Sequence, residues 1–384
     1  MADFWQIGAV DLLSLTRDQL AGELERLGQA RYRAAQLCAW IYEHRARRFE
    51  DMSNLPAALR AQLGASYTLR PLTKIRETGS ADTTRKFLFQ LQDGQLIETV
   101  VIPASPALYG EPSDRRTVCI SSQVGCAYGC KFCASGLDGV KRNLTVGEIV
   151  AQFLAVEELS REKINNIVFM GMGEPFANYK HLMQAIGILN ASWGLAVGAR
   201  NMTVSTSGLV PRIIEFADQP LQIRLAISLH AATDEVRSKI MPVNRKYPLR
   251  ELMDACEYYC SRKSQPLTLE YILIRGLNDS EDQAHRLVGH ARRLRAKVNL
   301  IPYNQVKGLD WERPVVAVQE SFLGVLKSHG VAATLRREKG LDIAAACGQL
   351  RLQNLDRFAL TTPRANVLPK LMPENHVASE TAVQ

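Results

Sequence analysis

The chain has 384 residues and a formal net charge of +8, with 46% hydrophobic and 22% charged residues. Its length exceeds one minimal domain and fits a core of roughly 200–250 residues with additions. No run of about 18 apolar residues occurs, so we expect no membrane-spanning helix and no membrane partner. The first residues include Asp3 and Asp11 but no basic segment before the apolar stretch. We therefore expect no signal peptide and a cytoplasmic protein.

The charge and the cysteine content narrow the function classes. A basic surplus fits either an ordinary solvated surface or a polyanionic partner such as a phosphate backbone. The chain also has eight cysteines. A chain of this length buries a core without a disulfide scaffold, and cysteines in such proteins are more often metal ligands or catalysts.

The first part of the chain, up to about Arg70, is predicted to be helical. Apolar residues recur at helical spacing in residues 19–28 and 32–49, and Pro56 suits the first turn of a third helix over 54–63. We predict a small helical accessory domain over residues 1–80. Basic residues flank the second helix and form either a solvated face or a face that binds a phosphate backbone: Arg31, Arg33, His44, Arg45, Arg47 and Arg48.

A different pattern begins at Lys86. Residues 86–91 and 96–103 alternate around the turn Asp93-Gly94 and predict a β-hairpin. Six β/α units follow, which predict an α/β fold with a parallel sheet and barrel-like closure. The predicted strands are 117–122, 165–171, 201–207, 222–230, 267–274 and 297–303, with a last one at 331–337. We place this core at residues 81–354 and expect a loosely ordered tail over 355–384.

The strongest chemical signal is a C-x3-C-x2-C cluster directly after the first predicted core strand. Its cysteines are Cys126, Cys130 and Cys133. Three thiolates on one short loop can hold three irons of a [4Fe–4S] cluster and leave the fourth iron open to a substrate. The alternative is zinc, but a structural zinc site requires four protein ligands.

Polar and glycine residues follow the ends of four other predicted strands. In β/α barrels the site forms at the carboxyl ends of the strands. For each motif alone a turn or a capped strand end is a sufficient explanation, whereas all of them together favour one bound ligand. The candidates are Gly173, Glu174, Ser205, Ser228, Leu229, His230 and Asn304. Glu174 can pair with an ammonium group, and Ser205 can hydrogen-bond a carboxylate or a ribose.

For the remaining cysteines the sequence separates core residues from functional residues less clearly. A single cysteine is most often a small buried hydrophobic residue, and we assign Cys38, Cys256 and Cys260 to that class. Cys119 fits a core position of the first core strand. Cys347 lies in the segment DIAAACGQL near the C-terminus.

Together these segments resemble the RlmN/Cfr group of radical S-adenosylmethionine (SAM) RNA methyltransferases, from about Asp18 to Leu350. The matching segments are IETV, CISSQVGCAYGCKFCASG, KRNLTVGEIV, FMGMGEP, STSGLVP, AISLHA, MPVNRKYPL, LNDS, LIPYN and DIAAACGQL. Pro175 and AISLHA are typical of the RlmN branch, while CAYGCKFC is closer to the Cfr branch. Two features depart from the group: the segment between Glu98 and Cys119 is long, and Gln305 stands where a proline is usual.

The resemblance implies a partial (β/α)6 barrel, one [4Fe–4S] cluster and two SAM molecules per turnover. It also implies that Cys347 takes a methyl group from one SAM. A 5′-deoxyadenosyl radical from a second SAM then abstracts hydrogen from this methyl, and the carbon radical adds to an adenine. Cys119 releases the covalent adduct by forming a disulfide with Cys347, and Glu98 accepts the ring proton. From the sequence alone, Glu98 is only a polar residue on a strand.

The implied substrates are 23S rRNA and tRNA methylated at carbon 2 of adenine, and the implied electron donor is flavodoxin-like. We expect a monomer, since no zipper or exposed apolar repeat occurs. Three alternatives stay open: Cfr-like methylation at carbon 8, a non-catalytic iron–sulfur protein that binds RNA, and a thiol redox protein using Cys119 and Cys347. Neither non-methylating alternative explains the motifs at the strand ends.

Overall fold

The computed structural model describes residues 10–69, 71–104, 114–137, 139–306, 309–336, 339–345 and 348–350. In chain order the strands are β1 (Val10–Asp11), β2 (Tyr67–Thr68), β3 (Leu72–Gly79), β4 (Arg85–Leu91), β5 (Leu96–Pro103), β6 (Arg116–Cys119), β7 (Gln123–Gly125), β8 (Val140–Asn143), β9 (Asn166–Phe169), β10 (Met202–Thr206), β11 (Arg224–Ser228), β12 (Thr268–Leu273), β13 (Lys297–Pro302) and β14 (Ala333–Leu335).

The helices alternate with the strands from β8 onwards. They are α1 (Arg17–Arg26), α2 (Arg33–Cys38), α3 (Ala57–Ser66), α4 (Val146–Ser160), α5 (Tyr179–Asn190), α6 (Val210–Ala217), α7 (Asp234–Ile240), α8 (Leu249–Arg262), α9 (Glu281–Leu294) and α10 (Val316–Ser328). No helix among the described residues is long and apolar enough to cross a membrane.

Ten strands form one mixed sheet in the order β14-β13-β12-β11-β10-β9-β6-β5-β4-β3. Within this sheet β6 and β9 to β14 are mutually parallel, while β3, β4 and β5 pair antiparallel at one edge. The hairpin β7–β8 is a separate antiparallel pair. The predicted hairpin is therefore β4–β5, and it extends the parallel sheet instead of forming a separate unit. The order leaves the sheet open at β3 and β14, as a partial barrel requires.

Several elements were not predicted. The strand β3 forms the outer edge of the sheet, and its sequence LTKIRETG is mostly exposed, so it lacks the apolar alternation that marks a strand. The helices α6 and α7 and the hairpin β7–β8 are also additions. The predicted helix over 32–49 is wrong in its second half. After α2 the chain makes a π-helical turn over Ala39–Glu43, and Arg45 adopts a φ of +55°, which ends the helix.

The N-terminal helical segment packs directly against α4 and α5. Leu12 and Leu13 are buried, the Ser14 hydroxyl accepts a hydrogen bond from the Gly147 backbone N–H, and the Gln184 side chain donates to the Ser14 carbonyl. Four arginines of the predicted basic face are paired with carboxylates: Arg31 with Glu25, Arg45 with Glu157, Arg47 with Glu158 and Arg48 with Asp51. Part of this face therefore attaches the accessory segment to the core.

Candidate active site

The three clustered cysteines lie on the loop enclosed by the hairpin β7–β8. Gly125 has a φ of +75°, and a Cβ at this position would overlap the carbonyl oxygen of Gly139, so only glycine fits where the loop begins. The loop is closed by hydrogen bonds from the Cys126 N–H to the Gly139 carbonyl and from the Cys133 N–H to the Cys130 carbonyl, both 3.0 Å long. All three cysteines are half-buried and line one cavity.

The thiols of this loop suit a cationic group. Burial raises the pKa of Cys126 to about 12. Burial, and then the charges of Cys133 and Cys126, raise the pKa of Cys130 well above its usual value. Thiolates crowded in this way need nearby positive charge, which bound iron supplies. No three His, Cys, Asp or Glu side chains of the described ranges could hold one shared metal ion. A [4Fe–4S] cluster has a different requirement, because each cysteine binds a separate iron.

Gly173 and Glu174 lie where the chain leaves β9. Gly173 has a φ of +99°, and a Cβ on it would lie 2.5 Å from the Gln123 Cβ. Gln123 accepts from the Glu174 backbone N–H at 2.9 Å and so connects this turn to the start of the cysteine loop. The Glu174 carboxylate accepts from the backbone N–H groups of Phe176 and Ser207. Burial raises the pKa of Glu174, and these hydrogen bonds oppose the rise.

Ser205, Ser228 and His230 form the neighbouring wall of the cavity. The hydroxyl oxygens of Ser205 and Ser228 are 3.4 Å apart across β10 and β11. Nδ1 of His230 accepts from the Ile272 backbone N–H at 3.1 Å, and burial lowers the pKa of His230 to about 3. The imidazole is therefore neutral and carries its proton on Nε2. Its ring contacts the Phe132 ring of the cysteine loop edge-on, at 4.6 Å between centroids.

Leu229 and Asn304 do not line this cavity. Leu229 is fully buried, and its carbonyl accepts from Nε of Arg237. Asn304 is also buried, and its Oδ1 accepts from the Arg313 guanidinium at 2.9 Å. Of the seven residues predicted to bind SAM, five thus surround the cavity: Gly173, Glu174, Ser205, Ser228 and His230.

Cys119 and Glu98 lie on the same face of the sheet as the cavity. Cys119 pairs with Val168 on β9 and with Val100 on β5, and paired residues project from one face. Glu98 is two residues from Val100 and shares that face. The register of the neighbouring strands β10, β11 and β12 places Ser205, Ser228 and Glu270 on this same face, and all three line the cavity. Both Cys119 and Glu98 are buried.

Cys347 lies outside the described residues, but the segments on either side of it are described. Gly348, which follows it in the chain, lines the cavity. The Gly348 carbonyl accepts from the Ala134 N–H at 2.7 Å, and the Ser135 hydroxyl donates to the Leu350 carbonyl at 2.6 Å. Residues 348–350 are thereby held against the end of the cysteine loop. The seven described cysteines are free thiols, so the implied disulfide is not seen among them.

The sequence reasoning missed several cavity residues. Glu270 of β12 is buried, burial raises its pKa, and its Oε1 accepts from the Asn299 side chain at 2.9 Å. Its Oε2 has no hydrogen-bond partner in the described part of the chain. Tyr128 and Arg336 also line the cavity. A glutamate inside the apolar run LTLEYILI was the one available signal, because such a residue is rarely buried without a function or a partner.

Comparison with known proteins identifies the family of this chain. Family models match residues 120–288, as the radical SAM superfamily, and residues 10–69, as the ribosomal RNA large subunit methyltransferase N-terminal domain. A probable dual-specificity RNA methyltransferase RlmN 3 of Opitutus terrae is 52% identical over 348 residues, covering 88% of this chain and 93% of that protein. The chain belongs to the RlmN family. A probable dual-specificity RNA methyltransferase RlmN of Akkermansia muciniphila is 51% identical, with 88% and 94% covered.

The fold of this RlmN family member is also found in a solved structure. A radical SAM methyltransferase from Sphaerobacter thermophilus is 46% identical and superposes with a TM-score of 0.85, over 89% of this chain and 99% of that one. The expected family and the radical SAM α/β fold are therefore confirmed. Membership of the superfamily implies a [4Fe–4S] cluster and SAM.

Proposed function

We propose that this RlmN family member is a dual-specificity RNA methyltransferase that methylates carbon 2 of an adenine in 23S rRNA and in tRNA. The relatives carry the name dual-specificity RNA methyltransferase. One observation supports the proposal most: the cysteine loop and five candidate SAM contacts surround one cavity, and Cys119 and Glu98 lie on the sheet face that lines it.

Cys126, Cys130 and Cys133 would hold the [4Fe–4S] cluster. When bound, the cluster supplies the open iron for SAM and the electron that cleaves SAM to a 5′-deoxyadenosyl radical. The chain's own residues orient this SAM. Glu174 offers a buried carboxylate to an ammonium group, and neutral His230 offers its Nε2–H as a donor.

The thiolate of Cys347 would take a methyl group from one SAM molecule and carry it. A second SAM molecule would supply the radical. The carbon radical on Cys347 would add to the ring carbon of the adenine. The adduct would then lose its unpaired electron, which would return to the oxidised cluster, and its ring proton, which Glu98 would accept. The Cys119 thiolate then attacks the sulfur of Cys347. A sulfur–sulfur bond forms, the carbon–sulfur bond breaks, and its electron pair stays on the methyl carbon, which takes a proton.

The partners follow from this chemistry. The target adenine has to leave its stack to reach the cavity, and the basic accessory segment would hold the RNA backbone. A flavodoxin-like protein would donate the low-potential electron. We expect the enzyme to act as a monomer in the cytoplasm, where both RNA substrates are found.

The test is nucleoside mass spectrometry of 23S rRNA and tRNA from a strain that lacks the gene, before and after treatment with the reduced enzyme and SAM. We expect 2-methyladenosine in both RNAs. Methylation at carbon 8 would favour the Cfr-like alternative. Absence of both methylated adenosine and 5′-deoxyadenosine would favour an iron–sulfur protein that only binds RNA.

A single variant tests the two-cysteine route. Cys119→Ala should still methylate Cys347 and attack the adenine, but should then stall with RNA covalently attached. A denaturing gel with and without ribonuclease, followed by peptide mass spectrometry, detects this adduct. Cys256→Ala is the matched control, because Cys256 is buried in the core away from the cavity lining. Normal turnover of Cys119→Ala would contradict the route.

A further inference from the structure

Lys86 is a buried cation between two parts of the candidate site. It lies on β4, and only 11% of its side chain is exposed. Its Nζ is 3.0 Å from Oε1 of Glu98 and donates to the Ala344 carbonyl, also at 3.0 Å. A lysine is rarely buried to this extent unless it is paired, and here one ammonium group contacts both partners.

The sheet register accounts for the first contact. Lys86 pairs with Val100, and Leu88 pairs with Glu98 on the adjacent antiparallel strands. Lys86 and Glu98 are therefore diagonal neighbours on one face, within reach of a long side chain. Cys119 lies opposite Val100 on the other side. Lys86, Glu98 and Cys119 thus lie on the cavity face of three consecutive strands.

The second contact belongs to a larger attachment of the C-terminal segment. The Asp342 carboxylate accepts from the Ser80 hydroxyl at 2.5 Å, and the Gly340 N–H donates to Asp82 at 2.8 Å. The turn before β4 therefore holds residues 340–342. Lys86 adds a contact to Ala344, three residues before Cys347 in the sequence.

We propose that Lys86 is a positioning residue for the RNA step of the reaction. Its ammonium group fixes the Glu98 carboxylate on the cavity face and ties the backbone that leads to Cys347 to the same point. The proton acceptor and the backbone at Ala344 are thereby joined through one ammonium group. This inference rests on the proposed function, because it assigns no reaction of its own to Lys86.

An ordinary buried ion pair would stabilise the fold without affecting one reaction step more than another. The experiment therefore separates the steps. The variants are Lys86→Met, Lys86→Arg and Glu98→Gln in the reconstituted full-length enzyme. Lys74→Met is the matched control. Lys74 also pairs with a glutamate, Glu77, but both lie on the edge strand β3 and 41% of the Lys74 side chain is exposed.

We expect Lys86→Met to retain its iron, to form 5′-deoxyadenosine from SAM within about twofold of the wild type, and to methylate Cys347. The rate at which methylated RNA is released should fall on the order of 10–100-fold, because small misplacements of reacting groups cause losses of this size. Covalently attached RNA should accumulate, as in Glu98→Gln. The double variant with Lys86→Met and Glu98→Gln should release methylated RNA no more slowly than Glu98→Gln alone. The reason is that both changes disrupt the same pair of side chains. Lys86→Arg should recover part of the activity.

Release of methylated RNA by Lys86→Met at the wild-type rate would overturn the inference. So would equal losses of iron, SAM cleavage and RNA methylation, since these indicate a structural role alone. If Lys86→Met does not fold, Lys86→Gln keeps a donor for Ala344 without the charge and is read in the same way. Failure of the wild type to methylate RNA would instead refute the proposed function.

Discussion

The backbone of Gly147, in the first turn of α4, lies so close to the carboxylate of Asp11 that a Cβ on Gly147 would overlap it. The same Cβ would lie 2.8 Å from the Ser14 hydroxyl oxygen. This contact joins the accessory segment to the core, and side chains packed this tightly cannot move aside freely.

Gly147→Ala should therefore destabilise the protein by about 1–3 kcal/mol, because the added methyl group forces Asp11 and Ser14 away from α4. Gly187→Ala is the matched control. Gly187 is an exposed glycine of α5 whose Cβ would meet nothing within 4 Å, so the change should stabilise the helix by up to about 1 kcal/mol. Thermal unfolding midpoints of the two variants should move in opposite directions.

The Asp11 carboxyl group predicts a pH dependence of stability. Burial raises the pKa of Asp11 to about 7 from its usual value of 3.8, and its Oδ2 has no hydrogen-bond partner among the described residues. The folded protein thus holds this proton more tightly than the unfolded chain, so stability falls as pH rises from about 4 to about 7. Asp11→Asn does not titrate. It should match the wild type at pH 4 and exceed it by roughly 1–3 kcal/mol at pH 8. Denaturant titrations at both pH values check this, and a constant difference would contradict it.

Replacing any cysteine of the loop should abolish cluster binding. Cys130→Ala leaves two thiols, which cannot hold three irons, so the anaerobically purified variant should lose its brown colour and its iron and sulfide. Cys260→Ala is the control, since Cys260 is a half-buried thiol on α8 that contacts the Leu294 carbonyl and does not line the cavity. Chemical analysis of iron and sulfide separates the two variants. Full iron content in Cys130→Ala would refute the ligand assignment.

Arg237 should be essential for both the fold and the cavity. It is fully buried and donates to the carbonyls of Ser207, Ser228 and Leu229 and to the Asn244 side chain. Arg237→Met removes these hydrogen bonds from buried acceptors and should cost about 1–3 kcal/mol for each acceptor left unsatisfied. SAM affinity should fall as well, because Ser207 and Ser228 line the cavity. Unfolding curves and equilibrium dialysis with SAM measure the two effects, and unchanged SAM affinity in a folded variant would contradict the second.

Tyr32 and Arg33 form a cation–π pair on the accessory segment, which offers a ring for stacking and a charge for a phosphate. Tyr32 is 63% exposed, and the Arg33 guanidinium lies 5.4 Å from the centre of its ring. Arg33→Ala should weaken RNA binding and reduce the slope of log affinity against log salt by about 1, whereas Tyr32→Ala should weaken binding without changing that slope. Arg286→Ala, which removes an exposed arginine paired with Asp282 on α9, is the control. Salt titrations of RNA affinity in which all three variants match the wild type would show that these residues form only a solvated face.

Most of the core could be predicted from local sequence periodicity. The hairpin β4–β5, the strand–helix alternation and the helix over residues 179–190 follow from apolar spacing and turn residues, which act within a few positions of the chain. The edge strand β3 could not, because its pairing with β4 depends on a neighbour and not on its own polar sequence.

The site also contains residues that could be predicted from local sequence and residues that could not. The cysteine loop was visible because metal ligands have fixed spacing. The position of Lys86 was not visible, since an isolated lysine on a strand is usually a solvated side chain. Glu270 gave a weak signal, as a glutamate inside an apolar run. Only the register of the sheet places both on the cavity face. Strand-end position did not predict the cavity lining at Leu229, which is fully buried, or at Asn304, which is held by Arg313, and their assignment as SAM contacts stays a prediction.

The attachment of residues 340–350 has a consequence for biosynthesis. Ser80 and Asp342 are separated by 262 positions, and Ser135 and Leu350 by 215. Contacts between residues so far apart in the sequence form late in folding, because the chain loses the entropy of closing a long loop before the contact stabilises it. On the ribosome, the parallel sheet can assemble while this segment is still being synthesised. The nascent chain therefore acquires its fold before its catalytic competence, and competence depends on one late docking event.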